Sequence, residues 1–434
     1  MNSNKLFYIL VGIIVIAVFI TIVLILRNIG GGGSTPVKLE FWGVFDDRNA
    51  FDKVITDFKA QNSNIDIEYR MFTFEQYEQG FVNALAAGTG PDVLMIHNTW
   101  LPKHGDKFLP LPPDVPDKKN PFTIQSFKDQ FVDVAYQDLV YNNTQIYGMP
   151  LYVDTLGLYY NKDLFNSAGI TRPPQTWEEV NADVRLLTRT DQSGNIIQSG
   201  FSLGTARNIN RSTDILMGMM IQSGVQMTSA DQHSATFGSG IDGQHVGEIA
   251  VQYYTDFANP RNPNYSWNDS QHYSIDAFTE GTLAMMVGYV HNSQVIRSKA
   301  PRLNFAVAPM PQASLNDIRN FANYWAVAVT SKSAHPVEAW KFVNYLASRE
   351  GVTTYLNATK RPSARRDLID LQRNDPDLGV FAVQALSARS WYQADNIVIE
   401  TIFADMIDDV NFNRLPIRDA VSRAESRVTV LMQK

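Results

Sequence analysis

Residues 37–96 read VKLEFWGVFDDRNAFDKVITDFKAQNSNIDIEYRMFTFEQYEQGFVNALAAGTGPDVLMI, and their apolar side chains switch repeatedly between two periods. Apolar and polar residues alternate over 37–41 and again over 65–71, which is typical of strands. The stretches that follow each of these have the period of amphipathic helices. Residues 93–96 are a continuous apolar run, as expected of a strand buried on both faces. This order predicts an α/β fold with a parallel sheet.

Polar residues at the ends of the two predicted helices support the same division. Asp46 or Asp47 is placed to cap the first helix. Thr73 and Gln76 form a capping box for the second helix, and Gly88 is placed to end it.

The rest of the chain continues with alternating strand and helix patterns. Residues 156–160 and 324–329 read as strands, and 336–346 as an amphipathic helix. Thr176 and Glu179 make another capping box. At 434 residues the chain is too long for one ordinary core, so we expect two lobes.

The amino-terminal segment has a different character. Residues 6–26 carry no charge, and at a helical rise of about 1.5 Å per residue they span roughly 31 Å, the thickness of a bilayer core. A cleaved secretory signal is the alternative, but its apolar region is usually shorter and is followed by a small-residue cleavage site. We therefore predict a transmembrane anchor over 6–27 and a glycine-rich linker over 28–36, which contains GGGGS.

Composition excludes several classes of function. The net charge is -7 and no basic run occurs, so nucleic acid is not an expected partner. With no cysteine, the chain has no disulfide, thiolate metal site or cysteine nucleophile. Since its histidines and acidic residues show no metal-binding spacing, we predict no metal and no cofactor.

Aromatic and hydrogen-bonding side chains follow two of the predicted strands. Trp42 and Phe45 come at the end of the first strand, and His97, Asn98 and Trp100 follow the third. Because ligands of open α/β sheets bind beyond the carboxyl ends of the strands, these residues are candidate ligand contacts. The alternative for each aromatic residue is ordinary core packing.

Several short segments occur in a characteristic order. They are 39–43 (LEFWG), 86–93 (AAGTGPDV), 147–150 (YGMP), 160–165 (YNKDLF), 176–179 (TWEE), 278–285 (FTEGTLAM) and 334–340 (AHPVEAW). In this order they resemble the family 1 extracellular solute-binding proteins of ABC importers, which include maltose- and multiple-sugar-binding proteins. The resemblance covers the chain from about residue 37 to its end.

This resemblance implies a two-lobed periplasmic-binding-protein-like fold of type II, with a hinge and a ligand cleft between the lobes. We expect the first lobe to comprise 37–152 and 309–362, and the second lobe 153–308 and 363–434. The segments 152–154 and 307–309 are the expected crossings between lobes.

The resemblance also suggests further site residues. Asp154 stands where relatives carry a carboxylate that contacts sugar hydroxyls, and Tyr289 where relatives often place a stacking aromatic residue. Tyr152 lies on the same crossing segment as Asp154. Aromatic planes pack on the apolar face of a sugar ring, while the hydroxyls need fixed polar partners. The remaining candidate ligand contacts are Trp325, Trp391 and His291.

The implied function is that of an extracytoplasmic receptor that captures a carbohydrate and passes it to the permease and ATPase of an ABC importer. We expect a monomer held at the membrane by its amino-terminal helix, with no catalytic residue. The alternative is a surface-anchored glycan-processing enzyme or a ligand-sensing input domain. GFSLG at 200–204 matches a nucleophile elbow around Ser202, but no helix start follows it, and Asp154 has no identifiable carboxylate partner.

Overall fold

The computed structural model of the chain describes Val18, Thr21 and residues 36–240 and 244–433. Within that part of the chain, no helix combines the length and the hydropathy that a membrane span requires. Apart from Val18 and Thr21, the predicted anchor over 6–27 lies outside the described residues, as does most of the predicted linker.

The described strands are mostly short and fall into separate sheets. In chain order they are β1 Val37–Val44, β2 Ile65–Phe72, β3 Val93–His97, β4 Phe108–Leu109, β5 Val140–Tyr141, β6 Gln145–Ile146, β7 Met149–Pro150, β8 Asp154–Thr155, β9 Gly157–Asn161, β10 Arg189–Thr190, β11 Ile196–Gln198, β12 Met285–Gly288, β13 Phe305–Ala308, β14 Asn320–Asn323, β15 Trp325–Thr330 and β16 Ala388–Arg389.

Helices connect and cover these strands. In chain order from residue 36 they are α1 Asn49–Gln61, α2 Phe74–Ala87, α3 Trp100–His104, α4 Ile124–Gln130, α5 Asp133–Leu139, α6 Lys162–Ser167, α7 Trp177–Leu187, α8 Ser212–Gln222, α9 Val246–Asp256, α10 Ser274–Thr279, α11 His291–Lys299, α12 Pro336–Leu346, α13 Arg349–Thr359, α14 Arg366–Gln372, α15 Gly379–Gln384, α16 Asn396–Asn411 and α17 Ile417–Met432.

The first sheet confirms part of the prediction that the strands within 37–96 form a parallel sheet. Its order is β2-β1-β3-β15-β4, and β7 also pairs with β15. β1 is parallel to β2 and to β3, as predicted. β15 returns from much later in the chain and is antiparallel to β3, so the sheet is mixed rather than wholly parallel. Period alone does not set strand direction, because both directions bury the same faces.

The helix ends differ in how well the sequence predicted them. Gly88 ends α2 in the left-handed conformation, with φ of +73°, and the Thr176 hydroxyl accepts a hydrogen bond from the backbone N–H of Glu179 at 3.3 Å. Both predictions are confirmed. Thr73 precedes α2, but among the described contacts its side chain makes no capping hydrogen bond. The residue before α1 is Arg48, which makes no capping hydrogen bond among the described contacts. The Asp47 carboxylate instead accepts one from the backbone N–H of Asn49 at 2.9 Å, so Asp47 caps the start of the helix, as predicted.

Two smaller sheets position the rest of the cleft. β9 lies between β12 and β13, antiparallel to both. β14 lies between β8 and β16, antiparallel to β8 and parallel to β16. This second group, which we call the crossing sheet, brings together three distant parts of the chain.

Buried apolar side chains form two separate clusters. The first contains residues from 39–153, 322–369 and 382–388, and the second contains residues from 156–310, 378–381 and 391–432 together with Phe321. The chain therefore leaves one cluster and enters the other next to each strand of the crossing sheet. Ala308 and Met310, at the second expected crossing, both pack in the second cluster.

We expect Trp177→Ala to destabilise the protein by about 3–5 kcal/mol. Trp177 is buried in the second cluster, packs against Tyr253 and donates its indole N–H to Gln222 at 2.7 Å. Leu186→Ala, at an exposed position of the same helix, is the matched control. Denaturant unfolding of both variants provides the measurement. Equal small effects would show that Trp177 is not part of the core.

Candidate functional site

Three cavities lie where the two apolar clusters face each other. The central cavity is lined from one side by residues that end or flank β3 and β14, and from the other by the start of α8 and by residues after β16. Its volume is about 20 Å³, enough for roughly one water molecule. Its lining includes His97, Asn98, Arg211, Asp214, Asn323, Ser390, Trp391, Asn396 and Glu400.

The aromatic cavity, of about 390 Å³, adjoins the central cavity and shares Asn396 with it. Trp100 and Trp325 line it, with ring centroids 5.3 Å apart and planes at 71°. Phe74 packs edge-on to Trp325 at 6.4 Å. Asp395 and Asn396 face these rings from the opposite side. The aromatic cavity therefore combines ring surface with polar and charged side chains, since Glu78 and Lys103 line it as well.

The charged cavity, of about 370 Å³, contains Phe45 and His291, one from each side. Phe45 is 56% exposed, adopts φ of +68° and stacks on Phe74 at 5.5 Å. A large non-glycine residue in this conformation is strained and needs support from its neighbours. The adjacent Asp46 supplies that support.

Asp46 ties the Phe45 turn to a distant part of the same cluster. Its carboxylate accepts hydrogen bonds from Tyr355 at 2.7 Å and from Arg361 at 2.6 Å. Its backbone carbonyl accepts one from Tyr69 at 2.5 Å. These contacts hold the exposed ring of Phe45 at the mouth of the cleft.

His97 is a neutral side chain with a defined tautomer. Thr99 donates to Nδ1 from its hydroxyl at 2.8 Å and from its backbone N–H at 3.4 Å. Nε2 therefore carries the hydrogen and donates to Asn323 at 3.3 Å. Burial lowers the pKa of His97 to about 4, so the ring stays uncharged at neutral pH.

The opposite wall of the central cavity carries a compensated charge cluster. The Arg211 guanidinium donates two hydrogen bonds to the Asp214 carboxylate, at 2.8 Å and 2.9 Å, and it lies 3.4 Å from the Glu400 carboxylate. Tyr289 donates its hydroxyl to Asp214 at 2.6 Å. Because Arg211 is already paired, its charge is not free to bind an anion.

Asp154 is the first residue of β8 in the crossing sheet and is buried next to the start of α11. Its carboxylate accepts hydrogen bonds from the backbone N–H groups of Thr155 at 2.9 Å and Val290 at 3.2 Å. Burial raises the pKa of Asp154 to about 7, although the guanidinium of Arg361 opposes this. The carboxyl group thus joins the crossing sheet to the second cluster through backbone contacts.

The structure brings together part of the predicted site. Phe45, His97, Asn98, Trp100, His291, Trp325 and Trp391 line the three cavities. Trp42, Tyr152, Asp154 and Tyr289 do not appear among the described lining residues. Their role in ligand contact stays a prediction.

Two of the residues away from the cavities have clear packing roles. Trp42 lies against Phe72, with ring centroids 4.3 Å apart, in the first apolar cluster. Tyr152 is buried with the guanidinium of Arg361 4.3 Å above its ring. Tyr152 therefore supports the residue that holds Asp46.

Comparison with known proteins decides the family. Residues 42–353 match the family model described as bacterial extracellular solute-binding protein. The chain belongs to this family.

Individual relatives of this solute-binding protein are distant. A binding protein of Brucella abortus is 25% identical over 346 residues, covering 78% of this chain and 79% of the relative. The maltodextrin-binding protein of Bacillus subtilis is 24% identical over 339 residues, covering 75% and 73%. The solved sugar-binding protein of Xanthomonas citri has a TM-score of 0.76 at 19% identity, covering 91% and 97% of the two chains. At such identity, the structural match establishes the two-lobed α/β fold.

Sequence reasoning missed several residues that line the cleft of this solute-binding protein. Phe74 directly follows β2, so the strand-end rule that selected Trp42 and Trp100 applies to it equally. Arg211, Asp214 and Glu400 follow no strand of the first sheet and belong to no motif. They meet only because α8 and α16 pack together in the second cluster.

Two further kinds of site, a nucleophilic serine and a metal site, have no support among the described residues. Ser202 is completely buried, and its hydroxyl has no hydrogen-bond partner among the described residues. Across 36–240 and 244–433, no three His, Asp or Glu side chains are grouped to hold a metal ion.

We expect Asp154→Asn to stabilise this solute-binding protein at pH 8 but not at pH 5. With its pKa raised to about 7, the folded protein keeps a proton on Asp154 that the unfolded chain releases near pH 4. The contribution of this group to the free energy of unfolding therefore falls as pH rises through that range. At pH 5 the protonated carboxyl group is uncharged, like the amide.

The shift corresponds to about 1.4 kcal/mol per pKa unit, so we expect the variant to gain about 1–4 kcal/mol at pH 8. Denaturant unfolding at both pH values measures the difference, with Asp129→Asn, an exposed carboxylate, as the matched control. A difference between wild type and Asp154→Asn that does not depend on pH would contradict the raised pKa.

Proposed function

We propose that this protein is an extracytoplasmic receptor that captures a carbohydrate in the cleft between its lobes and delivers it to an ABC importer. The observation that carries the proposal is the juxtaposition of the Phe74, Trp100 and Trp325 rings with polar side chains across the cleft. Aromatic faces bind the apolar side of a sugar ring, and polar groups satisfy its hydroxyls.

The solved relatives support this choice of ligand. A solute-binding protein from Thermotoga lettingae, 23% identical with a TM-score of 0.69, is bound to alpha-D-tagatose. Another relative, 18% identical with a TM-score of 0.73, is complexed with maltotetraose. A third is bound to mannobiose. Tagatose, maltotetraose and mannobiose are therefore suitable probes for this chain.

The charges along the cleft favour an uncharged ligand. Arg211 is paired with Asp214, and Arg361 with Asp46. Lys103 lies 2.7 Å from Glu78 and 3.9 Å from Asp395. An anionic sugar would have to displace these carboxylates from their cationic partners, which costs free energy in a buried site.

The lobes must separate to admit such a ligand. The division into 37–152 with 309–362 and 153–308 with 363–434 stays a prediction. The apolar clusters change over at β8, β14 and β16, and we propose that this crossing sheet acts as the hinge. Its short strands join the two clusters, and bending there leaves each core intact. In the conformation described, the central cavity of about 20 Å³ admits no sugar ring.

We further propose that residues 6–27 anchor the receptor in the membrane and that 28–36 tether it, with the binding domain outside as a monomer. No bond chemistry is proposed. The complete burial of Ser202 removes the setting of a nucleophile elbow, which requires an exposed hydroxyl. Glycan processing would also need a pair of facing carboxylates.

We expect Phe45→Ala to weaken binding of the sugar probe about tenfold while leaving the unfolding temperature of the free protein nearly unchanged. The ring is 56% exposed, so it contributes little to the core. Fully burying such a side chain is worth about 1.5–3 kcal/mol, and covering the exposed half with a sugar face is worth roughly half of that, or about tenfold in affinity. Phe412→Ala is the control, since Phe412 is 52% exposed and lies outside the three cavities as described. Calorimetry with tagatose, maltotetraose and mannobiose gives the affinities. Equal affinity of the two variants would place the ligand elsewhere.

We expect the full chain to sediment with membranes, and a chain that starts at Pro36 to remain in the soluble fraction with the same sugar affinity. The reason is the uncharged run at 6–26, whose burial in lipid the shortened chain lacks. Membrane fractionation followed by calorimetry tests both parts. Recovery of the full chain in the soluble fraction would refute the anchor.

A further inference from the structure

Asp138 lies behind the central cavity and is surrounded by hydrogen-bond donors. Its Oδ2 accepts from Asn98 Nδ2 at 3.1 Å and from the Tyr324 hydroxyl at 2.9 Å. Its Oδ1 accepts from the Ser390 hydroxyl. These donors come from three segments of the chain, after β3, between β14 and β15, and after β16. Asp138 itself is not among the described residues that line the cavity.

A carboxylate that accepts hydrogen bonds at both of its oxygens fixes the orientation of the donor side chains. An ionised carboxylate has no hydrogen to donate, so the Asn98 amide must turn Nδ2 toward Asp138. Asn98 Oδ1 then faces away from Asp138. Asn98 is 3% exposed, and its Oδ1 has no hydrogen-bond partner within the described part of the chain. Since Asn98 lines the central cavity, a buried acceptor is left available there.

A buried donor faces the same cavity from the other apolar cluster. Trp391 is 8% exposed, and its indole Nε1 has no hydrogen-bond partner among residues 36–240 and 244–433. An unpaired buried polar group costs about 1–3 kcal/mol, so two such groups around one cavity favour any small polar group that can pair with both. A hydroxyl can accept from one and donate to the other.

The size of the cavity limits what can enter. About 20 Å³ accommodates a group the size of a water molecule, and the adjoining aromatic cavity of about 390 Å³ shares Asn396 as a wall. A sugar ring held against Trp100 and Trp325 can therefore extend one hydroxyl into the central cavity when the lobes close.

We propose that Asp138 is a positioning residue that fixes Asn98 as an acceptor, so that the central cavity takes one sugar hydroxyl, which donates to Asn98 Oδ1 and accepts from Trp391 Nε1. This inference rests on the proposed carbohydrate-binding function. Asp138 would then contribute to specificity without touching the ligand, because it sets the orientation of Asn98, which does touch it.

The test compares affinities for tagatose, maltotetraose and mannobiose by calorimetry on the full chain. Asp138→Asn removes the requirement that Asn98 point its Nδ2 inward, and we expect it to weaken binding of the best probe at least tenfold. Asn98→Ala should cause a similar loss, and the two changes combined should lose no more than the larger single loss. Asp133→Asn on the same helix, an exposed carboxylate paired with Arg366, is the matched control and should bind within about twofold of wild type.

An exchange of the two side chains separates positioning from a merely structural role. In the double variant Asn98→Asp with Asp138→Asn, the new amide donates to the new carboxylate, whose second oxygen again faces the cavity as an acceptor. We expect this exchange to restore most of the affinity lost in Asp138→Asn. Trp391→Phe, which removes the donor but keeps an aromatic ring, should weaken binding about tenfold.

Each outcome decides the matter. Normal sugar binding by Asp138→Asn would overturn the inference while leaving the receptor function intact. Losses in Asp138→Asn and Asn98→Ala that multiply, or an exchange variant that stays as weak as Asp138→Asn, would show that Asp138 acts only on the fold and would also overturn it. If wild type binds none of the three sugars, the proposed function fails and the hydroxyl assignment fails with it.

Discussion

The backbone pairing of β8, β14 and β16 is the constraint on which the remaining structure depends. Each of these short strands connects residues of one apolar cluster to residues of the other. A chain that passes between two cores carries polar N–H and C=O groups into a region where water is scarce, so those groups must pair with one another. Pairing these three crossings in one sheet meets that requirement. The cleft lies where the two cores face each other beside this sheet.

Four carboxylates lie in or behind the walls of the cleft, and they are stabilised in different ways. Asp46 is paired with a guanidinium and a phenol, and it holds a strained turn that presents Phe45. Asp214 is paired with Arg211 and Tyr289. Asp138 and Asp154 receive only uncharged donors, and burial raises the pKa of Asp138 to about 6 and that of Asp154 to about 7. The ion pairs of Asp46 and Asp214 hold the neighbouring side chains in place. Asp138 and Asp154 have no cationic partner among the described residues, so their protonation depends on the pH and on nearby polar groups.

Ligand binding in the cleft depends on two kinds of side chain, aromatic rings and oriented polar groups. The rings of Trp100 and Trp325 give apolar area without specificity. Direction comes from polar atoms whose orientation is set by neighbouring residues, as His97 is set by Thr99 and Asn98 by Asp138. A receptor built in this way can bind an uncharged, hydroxyl-rich ligand and still discriminate among ligands of similar size.

The sequence by itself determined the local elements and the family. The alternation over 37–41, the glycine at the end of α2 and the Thr176 cap act within a few residues, so local pattern was sufficient. It also selected Trp100 and Phe45, because strand ends can be counted along the chain. It did not find Arg211, Asp214 or Asp138, and it did not separate Trp42, which packs on Phe72, from Trp100, which lines a cavity. Those distinctions depend on contacts between residues far apart in the chain, such as the 40 positions between Asn98 and Asp138 and the 252 between Asp138 and Ser390. Only the tertiary structure decides them, since periodicity reports which face of an element is apolar and not which element it will meet.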